Sequence, residues 1–301
     1  MKFKLAIIIV NHNAGDLLIN CLQSLKPLVN QNPLETEVFV VDNNSWDGSV
    51  EKIRAEMDWV KLQVNQDNVG FSKASNQAIR QTSSDYILLL NPDTIVPEAT
   101  VPQMLQFMDE NPDVGVSTCR VELANCELDK ACHRGFPTPW SSFTYFSGLA
   151  KLFPKSRLFG GYHLTYLPLD QPHEIDTPSG CFYLVRKKTI EEVGLLDEDY
   201  FLYGEDVDWS YCIKKASWQI IYYPKVKITH YKGFSSGIKA NTSKISQAKE
   251  HTKSMAINAF HDAMWLFYKK HLQKNYPLFI GWLVYLGIWV KRRWSLFTKH
   301  V

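Results

Sequence analysis

Nothing in this 301-residue sequence resembles a membrane-spanning helix, because no run of roughly 18 apolar residues escapes interruption by charge. The six cysteines, at positions 21, 119, 126, 132, 181 and 212, form no CxxC pair, which excludes a zinc ribbon and a dithiol redox motif. Cys126, Cys132 and His133 are too irregularly spaced for a metal site, and the thiols read as buried side chains in a reducing compartment. Neither GxGxxG nor GxxxxGK[ST] occurs, so the dinucleotide fingerprint and the P-loop are both missing. There is no internal repeat and no low-complexity tract. Between Lys4 and Asn11 stand only six apolar residues, too few for a secretory signal, and the expectation is a protein on the cytoplasmic side. Acid is absent from residues 263–301, where seven lysines and arginines lie among aromatics; that mixture favours an anionic membrane surface over nucleic acid.

What is present is ordinary globular material, 45% hydrophobic and 21% charged, enough for one large or two modest domains. Residues 5–10 are a continuous apolar run ending at Asn11-His12-Asn13, followed by leucines at helical spacing from Asp16 to Leu25. Residues 38–41 repeat the pattern, ending on Asp42-Asn43-Asn44-Ser45 before a helix through Arg54. A third short strand at 60–64 leads through residues 65–70 to a helix over 71–79. The run YILLLNPDTIV at 86–96 then has the composition of a strand buried on both faces, broken at Asn91-Pro92-Asp93. Such alternation predicts a doubly wound, mostly parallel α/β sheet that delivers three polar loops to its carboxyl edge, where ligands bind. Taken alone, NPD reads more readily as a plain turn, since all three are turn residues.

Without a glycine-rich phosphate loop, a nucleotide on this edge needs another counter-charge, and a divalent cation on Asp93 supplies it. Asp42 stands where an acid can accept hydrogen bonds from a base or ribose. Farther on, residues 100–109 read as a helix, 114–120 as a strand, and 122–170 as a long irregular insertion or lid. CFYLVRKK at 181–188 is strand-like, and Glu205, Asp206 and Asp208 sit between aromatic runs, apolar surroundings in which a carboxylate can be tuned as a base. A strand at 218–223 should end at Pro224, and a short one at 226–229 leads to His230, which could reach the same edge as Asp93.

IIIVNHN at 7–13, VVDNNSWDGS at 40–49, DNVGFSKASNQAI at 67–79, LLLNPDT at 88–94, SGCFYLVRK at 179–187 and the long block from Val193 to His230 together resemble family 2 inverting glycosyltransferases of the GT-A fold, closest to bacterial rhamnosyltransferase-like members. The resemblance implies a Rossmann-like sheet flanked by helices over residues 1–235, with a nucleotide-sugar half to about 120 and an acceptor half beyond it, and a C-terminal helical, basic-aromatic segment over 236–301. It further implies a dTDP- or UDP-sugar donor, rhamnose being favoured, a glycan or lipid-linked glycan acceptor, and Mn2+ or Mg2+ as cofactor. Asp206 is the implied catalytic base, with Glu205 beside it in the ED pair, and Asp93 and His230 are the implied metal site. Donor contacts fall on Asn11, Asn13, Asp42, Asn44, Asn68, Lys73, Asn76 and Asn91. Asn91 stands where many relatives carry the first acid of a DxD. The competing readings are a nucleotide-sugar-binding protein without transferase activity and a nucleotidyltransferase; the latter would call for a basic glycine-rich loop where NHNAGD stands.

In the tail, residues 277–290 are uncharged and span about 21 Å as a helix, short of a bilayer core of roughly 30 Å. Lysines and arginines bracket them, with Trp282, Tyr285 and Trp289 near one face, which suits a helix lying on the cytoplasmic face of the inner membrane; a helix packed on the domain or at a dimer contact is the competing reading.

Overall fold

The computed structural model describes residues 4–31, 35–231 and 250–298; of the C-terminal segment, residues 236–249 lie outside that description. The first half is the expected alternation. Strand β1 (Leu5–Asn11) is followed by α1 (Asp16–Gln31), β2 (Thr36–Asp42), α2 (Ser49–Glu56), β3 (Val60–Val64), α3 (Phe71–Ile79) and β4 (Tyr86–Leu90), and β1 pairs in parallel with both β2 and β4. All seven residues of β1 and all five of β4 are buried, as expected of strands covered by helices on both faces. Each Ile or Leu so enclosed contributes about 1.5–3 kcal/mol relative to an exposed one.

The second half departs from simple alternation. After β5 (Thr94–Ile95), α4 (Thr100–Glu110) and β6 (Val114–Leu123) comes the predicted insertion, which contains α5 (Pro139–Phe146) and α6 (Leu149–Leu152) among irregular chain. Then follow β7 (His173–Glu174), β8 (Phe182–Arg186), α7 (Lys187–Val193), α8 (Glu205–Lys215) and β9 (Gln219–His230). The sheet runs β3-β2-β1-β4-β8-β6-β9-β5, with β7 also on β9. Strand β8 is antiparallel to both β4 and β6, so its start, not its end, lies at the carboxyl edge of β4, with Leu90 opposite Phe182. That reversal brings Ser179-Gly180-Cys181 beside Asn91, whose amide donates to the Cys181 carbonyl at 3.2 Å.

Two local expectations need correction. Basic residues 187 and 188 begin α7 and do not continue the strand. Nor does Pro224 end β9. Tyr223 pairs with Cys119 and Lys227 with Arg120, so residues 224–226 form an excursion in the ladder, where the missing proline N–H has no partner to leave unpaired.

C-terminal α9 (Glu250–Phe267) leads through a π turn at Tyr268–Leu272 to α10 (Leu278–Thr298), which packs back on α9. The pair is seated on α8: Phe267, Tyr268 and Leu272 cluster with Val207, and Lys270 bridges Asp197 and Asp199. Gly204, the cap of α8, has φ +84°, and a Cβ there would stand 2.9 Å from that of Ala263. Glycine is therefore required both by backbone conformation and by the approach of α9.

Candidate active site

A cleft of about 420 Å³, within the usual size range of ligand sites, opens at the carboxyl edge of the strands. Its lining includes Val10 and His12 from the end of β1, Asn43, Asn68, Asn91, Asp93, residues 179–181, residues 201–207, His230, and one face of α9. A second hollow, around Lys4, Glu35 and Asp109, lies at the amino ends of β1 and β2.

One corner is built by strand register. Thr94 of β5 pairs with His230 at the end of β9, and the Tyr231 amide donates to the Asp93 carbonyl at 2.8 Å. Asp93 Oδ1 and His230 Nε2 are consequently 3.1 Å apart, with the Asn91 carboxamide 3.4 Å from the same nitrogen. Behind the ring, Asp129 Oδ2 lies 3.3 Å from Nδ1 and fixes its orientation. Burial works against a charged imidazole, yet the carboxylates of Asp93 and Asp129 outweigh it and hold His230 well above the ordinary range. Two cis ligands of one small octahedral cation stand about 3.0 Å apart. A carboxylate and an imidazole at 3.1 Å, here paired directly with each other, thus fit such an ion once Nε2 gives up its proton, while leaving positions for phosphate oxygens.

The opposite corner carries the ED pair, in the first turn of α8, where the helix amino end favours negative charge. Asp206 Oδ2 accepts from Arg134 Nη2 at 2.7 Å and from the Gly180 amide at 3.3 Å, and Oδ1 from the Val207 amide at 2.8 Å. Glu205 is buried, and its Oε2 has no hydrogen-bond partner among the described residues. Burial pushes its carboxyl well above the ordinary range, and the charge of Asp206 adds to the effect. Asp208 is held by the Tyr200 hydroxyl at 3.0 Å and His271 Nε2 at 2.6 Å. Asp208, Cys212 and His271 gather within 4.8 Å, but none of them lines the cleft.

Several predicted donor contacts do not face the cleft. Asn11 and Asp42 are fully buried and bonded to each other at 2.7 Å; Asn11 also donates to Ser45 and Ser49, and Asp42 accepts from the Ser45 amide. Their job is to lock the loop after β2 to the end of β1. Asn13 is tied into the same loop through the Trp46 amide, and Asn44 is an exposed turn residue at φ +62°. Buried Asn76 pins the 196–198 loop to α3, with bonds to both backbone groups of Leu196 and to Glu198. Lys73 is exposed beyond the rim, its charge acting on Glu198 and Asp199. Asn68, Asn91, Asp93, Glu205, Asp206 and His230 all line the cleft.

Asp42→Ala should therefore read as a stability mutant. Leaving buried donors unpaired costs about 1–3 kcal/mol, so the urea midpoint should fall while donor affinity of the native protein changes by no more than a few-fold. A tenfold affinity loss at an unchanged midpoint would return Asp42 to the donor site.

The residues that sequence reasoning missed are Arg134, Asp129, His12, Asn43 and α9. His12 Nδ1 lies 2.9 Å from the Asn43 carbonyl, Asn43 donates to the Gly70 carbonyl at 3.2 Å, and Trp46 stands edge-on to the His12 ring at 5.7 Å. Arg134 and Asp129 sit in the aperiodic insertion and carry no local signal. Helix α9 did carry one: Ala256, Ala259, Phe260, Ala263, Met264 and Phe267 recur at helical spacing and form the cleft wall.

Comparison with known proteins places these features. The model of the family described as glycosyl transferase family 2 matches residues 6–192. An N-acetylglucosaminyl-diphospho-decaprenol L-rhamnosyltransferase of Mycobacterium tuberculosis (strain ATCC 25618 / H37Rv) is 26% identical over 245 residues, covering 77% of this chain and 78% of that one. A poly-beta-1,6-N-acetyl-D-glucosamine synthase of Staphylococcus aureus (strain MW2) is 25% identical over 71% of this chain and 46% of its own length. Among solved structures, the mannosyltransferase PcManGT from Pyrobaculum calidifontis, in complex with GDP-Man and Mn2+, aligns with TM-score 0.58 at 14% identity over 99% of this chain and 73% of that one. At that identity the likeness concerns the fold.

Proposed function

This chain belongs to glycosyl transferase family 2 and is a glycosyltransferase of the GT-A fold; from that premise we propose that it transfers one sugar, with inversion, from a nucleoside diphosphate donor to a hydroxyl of a lipid-linked glycan. The observation that carries this reading is the placement of two different corners on one cleft: Asp93, His230 and Asn91 on one side, Asp206 and Arg134 on the other. A single displacement needs one base and one electrophilic clamp, and no second carboxylate as nucleophile. Rhamnose on dTDP or UDP is the favoured donor, supported by the relative named as an L-rhamnosyltransferase; the same name supports a diphospho-polyprenol-linked acceptor.

Asp93 and His230 would hold a Mn2+ or Mg2+ ion, which when bound supplies charge to stabilise the departing diphosphate. Asp129 keeps the Nε2 of His230 turned toward Asp93. Asp206 takes the proton of the acceptor hydroxyl, its carboxylate aimed by Arg134 and the Gly180 amide. Burial disfavours charge on Glu205 behind it, which limits the negative charge facing an anionic donor. His12, Asn43 and Asn68 frame the end of the cleft nearest β1 and β2, the place for the base and ribose. Phe71 donates its amide to the Phe201 carbonyl at 2.8 Å, and a Cβ on Gly70 (φ +86°) would lie 2.5 Å from that oxygen. The donor-side loop and the loop ahead of the base are therefore tied together at this point.

The test is a donor-hydrolysis screen across nucleotide sugars with and without manganese or magnesium. Slow cation-stimulated release of nucleoside diphosphate from dTDP-rhamnose ahead of other donors is expected. Preference for another sugar would refute the rhamnosyl assignment, and release of free nucleoside monophosphate instead would refute the displacement at the anomeric carbon.

A further inference from the structure

We infer that α10 and the α5–α6 insertion form a single docking platform for an anionic lipid bilayer, with the cleft opening between them. Helix α10 is turned inside out relative to an ordinary surface helix. Val284 packs inward toward the Phe267–Leu272 cluster, and Arg292 on the inner side pairs with Asp262 and the Asn258 carbonyl. The outer side presents Leu278, Phe279, Trp282, Leu283, Leu286, Trp289, Val290, Trp294 and Phe297, from 47% exposed at Trp289 to 84% at Phe297. So many exposed apolar side chains on one helix exceed what a soluble monomer ordinarily leaves uncovered.

The second half of the platform comes from a distant part of the sequence. Residues 131–169 contain no Asp or Glu, like residues 263–301, while Lys151, Lys155 and Arg157 lie among exposed Trp140, Phe143, Phe146, Leu152 and Phe153. The fold sets the two acid-free segments side by side: Lys291 of α10 stands 4.8 Å from the Phe146 ring of α5. Both also wall the cleft, through Arg134, Pro137 and Tyr162 on one side; on the other, Met264 and Phe267 of α9 carry α10. A protein partner would satisfy the apolar side chains alone. Acid-free cations interleaved with tryptophan on two adjoining elements match the headgroup region of an anionic bilayer instead. Lys291, Arg292 and Arg293 lie within α10, and no described helix is long and apolar enough to cross a membrane, so the platform rests on the surface. The platform itself is independent of the acceptor; that it delivers a lipid-linked glycan to Asp206 rests on the function proposed above.

The test is co-sedimentation of the full chain with phosphatidylcholine vesicles and with vesicles containing 30% phosphatidylglycerol. Binding should be confined largely to the anionic vesicles and weaken as salt rises. Two pairs of surface changes, Trp282→Ser with Trp294→Ser on α10 and Phe143→Ser with Leu152→Ser on the insertion, should each lower the partition coefficient tenfold or more, while cation-stimulated donor hydrolysis in solution is unchanged. Loss with the α10 pair alone would remove the insertion from the platform. Equal binding to both vesicle types, no binding, or a dimer by light scattering that dissolves with the same changes would overturn the bilayer assignment. Failure of donor hydrolysis in the parent protein would instead count against the transferase reading, leaving vesicle binding intact.

Discussion

Asp206→Asn is expected to lower transfer to a saturating acceptor by about 10²–10⁴-fold, the usual contribution of a positioned general base, with donor affinity retained. Asparagine keeps the shape and can still accept from Arg134 through its carbonyl oxygen, so the first turn of α8 should hold. What disappears is the proton acceptor. The two competitors are disqualified by their surroundings. Glu205 is buried where its charged form is disfavoured, and Asp208 is engaged by Tyr200 and His271 away from the cleft. Steady-state transfer, with donor titration and circular dichroism as controls, separates the outcomes. Near-normal turnover would overturn the assignment to Asp206, and a variant that has lost its fold would show the residue to be structural.

Asp93→Asn should reduce cation-dependent donor affinity by at least 10–100-fold, because only an ionised carboxylate brings a full charge to the cation beside the diphosphate. Asn91→Ala, which removes a neutral group 3.4 Å from His230, should cost only a few-fold, with His230→Ala in between. Chelation of the parent protein should reproduce the Asp93 defect. Isothermal titration reads all four. Donor affinity indifferent both to the cation and to Asp93 would place the enzyme among metal-independent transferases and sink the assignment.

The parallel half of the sheet was legible because its strands are continuous apolar runs and its helices have helical periodicity, both local properties. Strand direction is not local, so nothing in CFYLVRKK announced that β8 would run against β4. The same limit governs the site. Asp93 and His230 could each be placed at a strand end, but their meeting depends on pairing of Thr94 with His230, a contact between distant segments. Asp42 shows a related limit. An acid at a carboxyl edge looks the same in sequence whether it faces a ribose or is locked to Asn11; only the loop geometry decides. Arg134 was invisible because the insertion has no period to set a buried cation apart from a solvated one.

That α9 supplies a wall of the cleft bears on when the enzyme becomes competent during synthesis. A chain leaving the ribosome can assemble β1 to β4 from neighbouring segments, whereas β9 must insert between β6 and β5, and α9 must still reach Gly204. The corner at Asp93 is built by β5 and β9 and that at Asp206 by α8, and the groove between them has its wall only once α9 has docked. In order of synthesis that wall follows both corners, so exclusion of water from the reacting groups waits for α9.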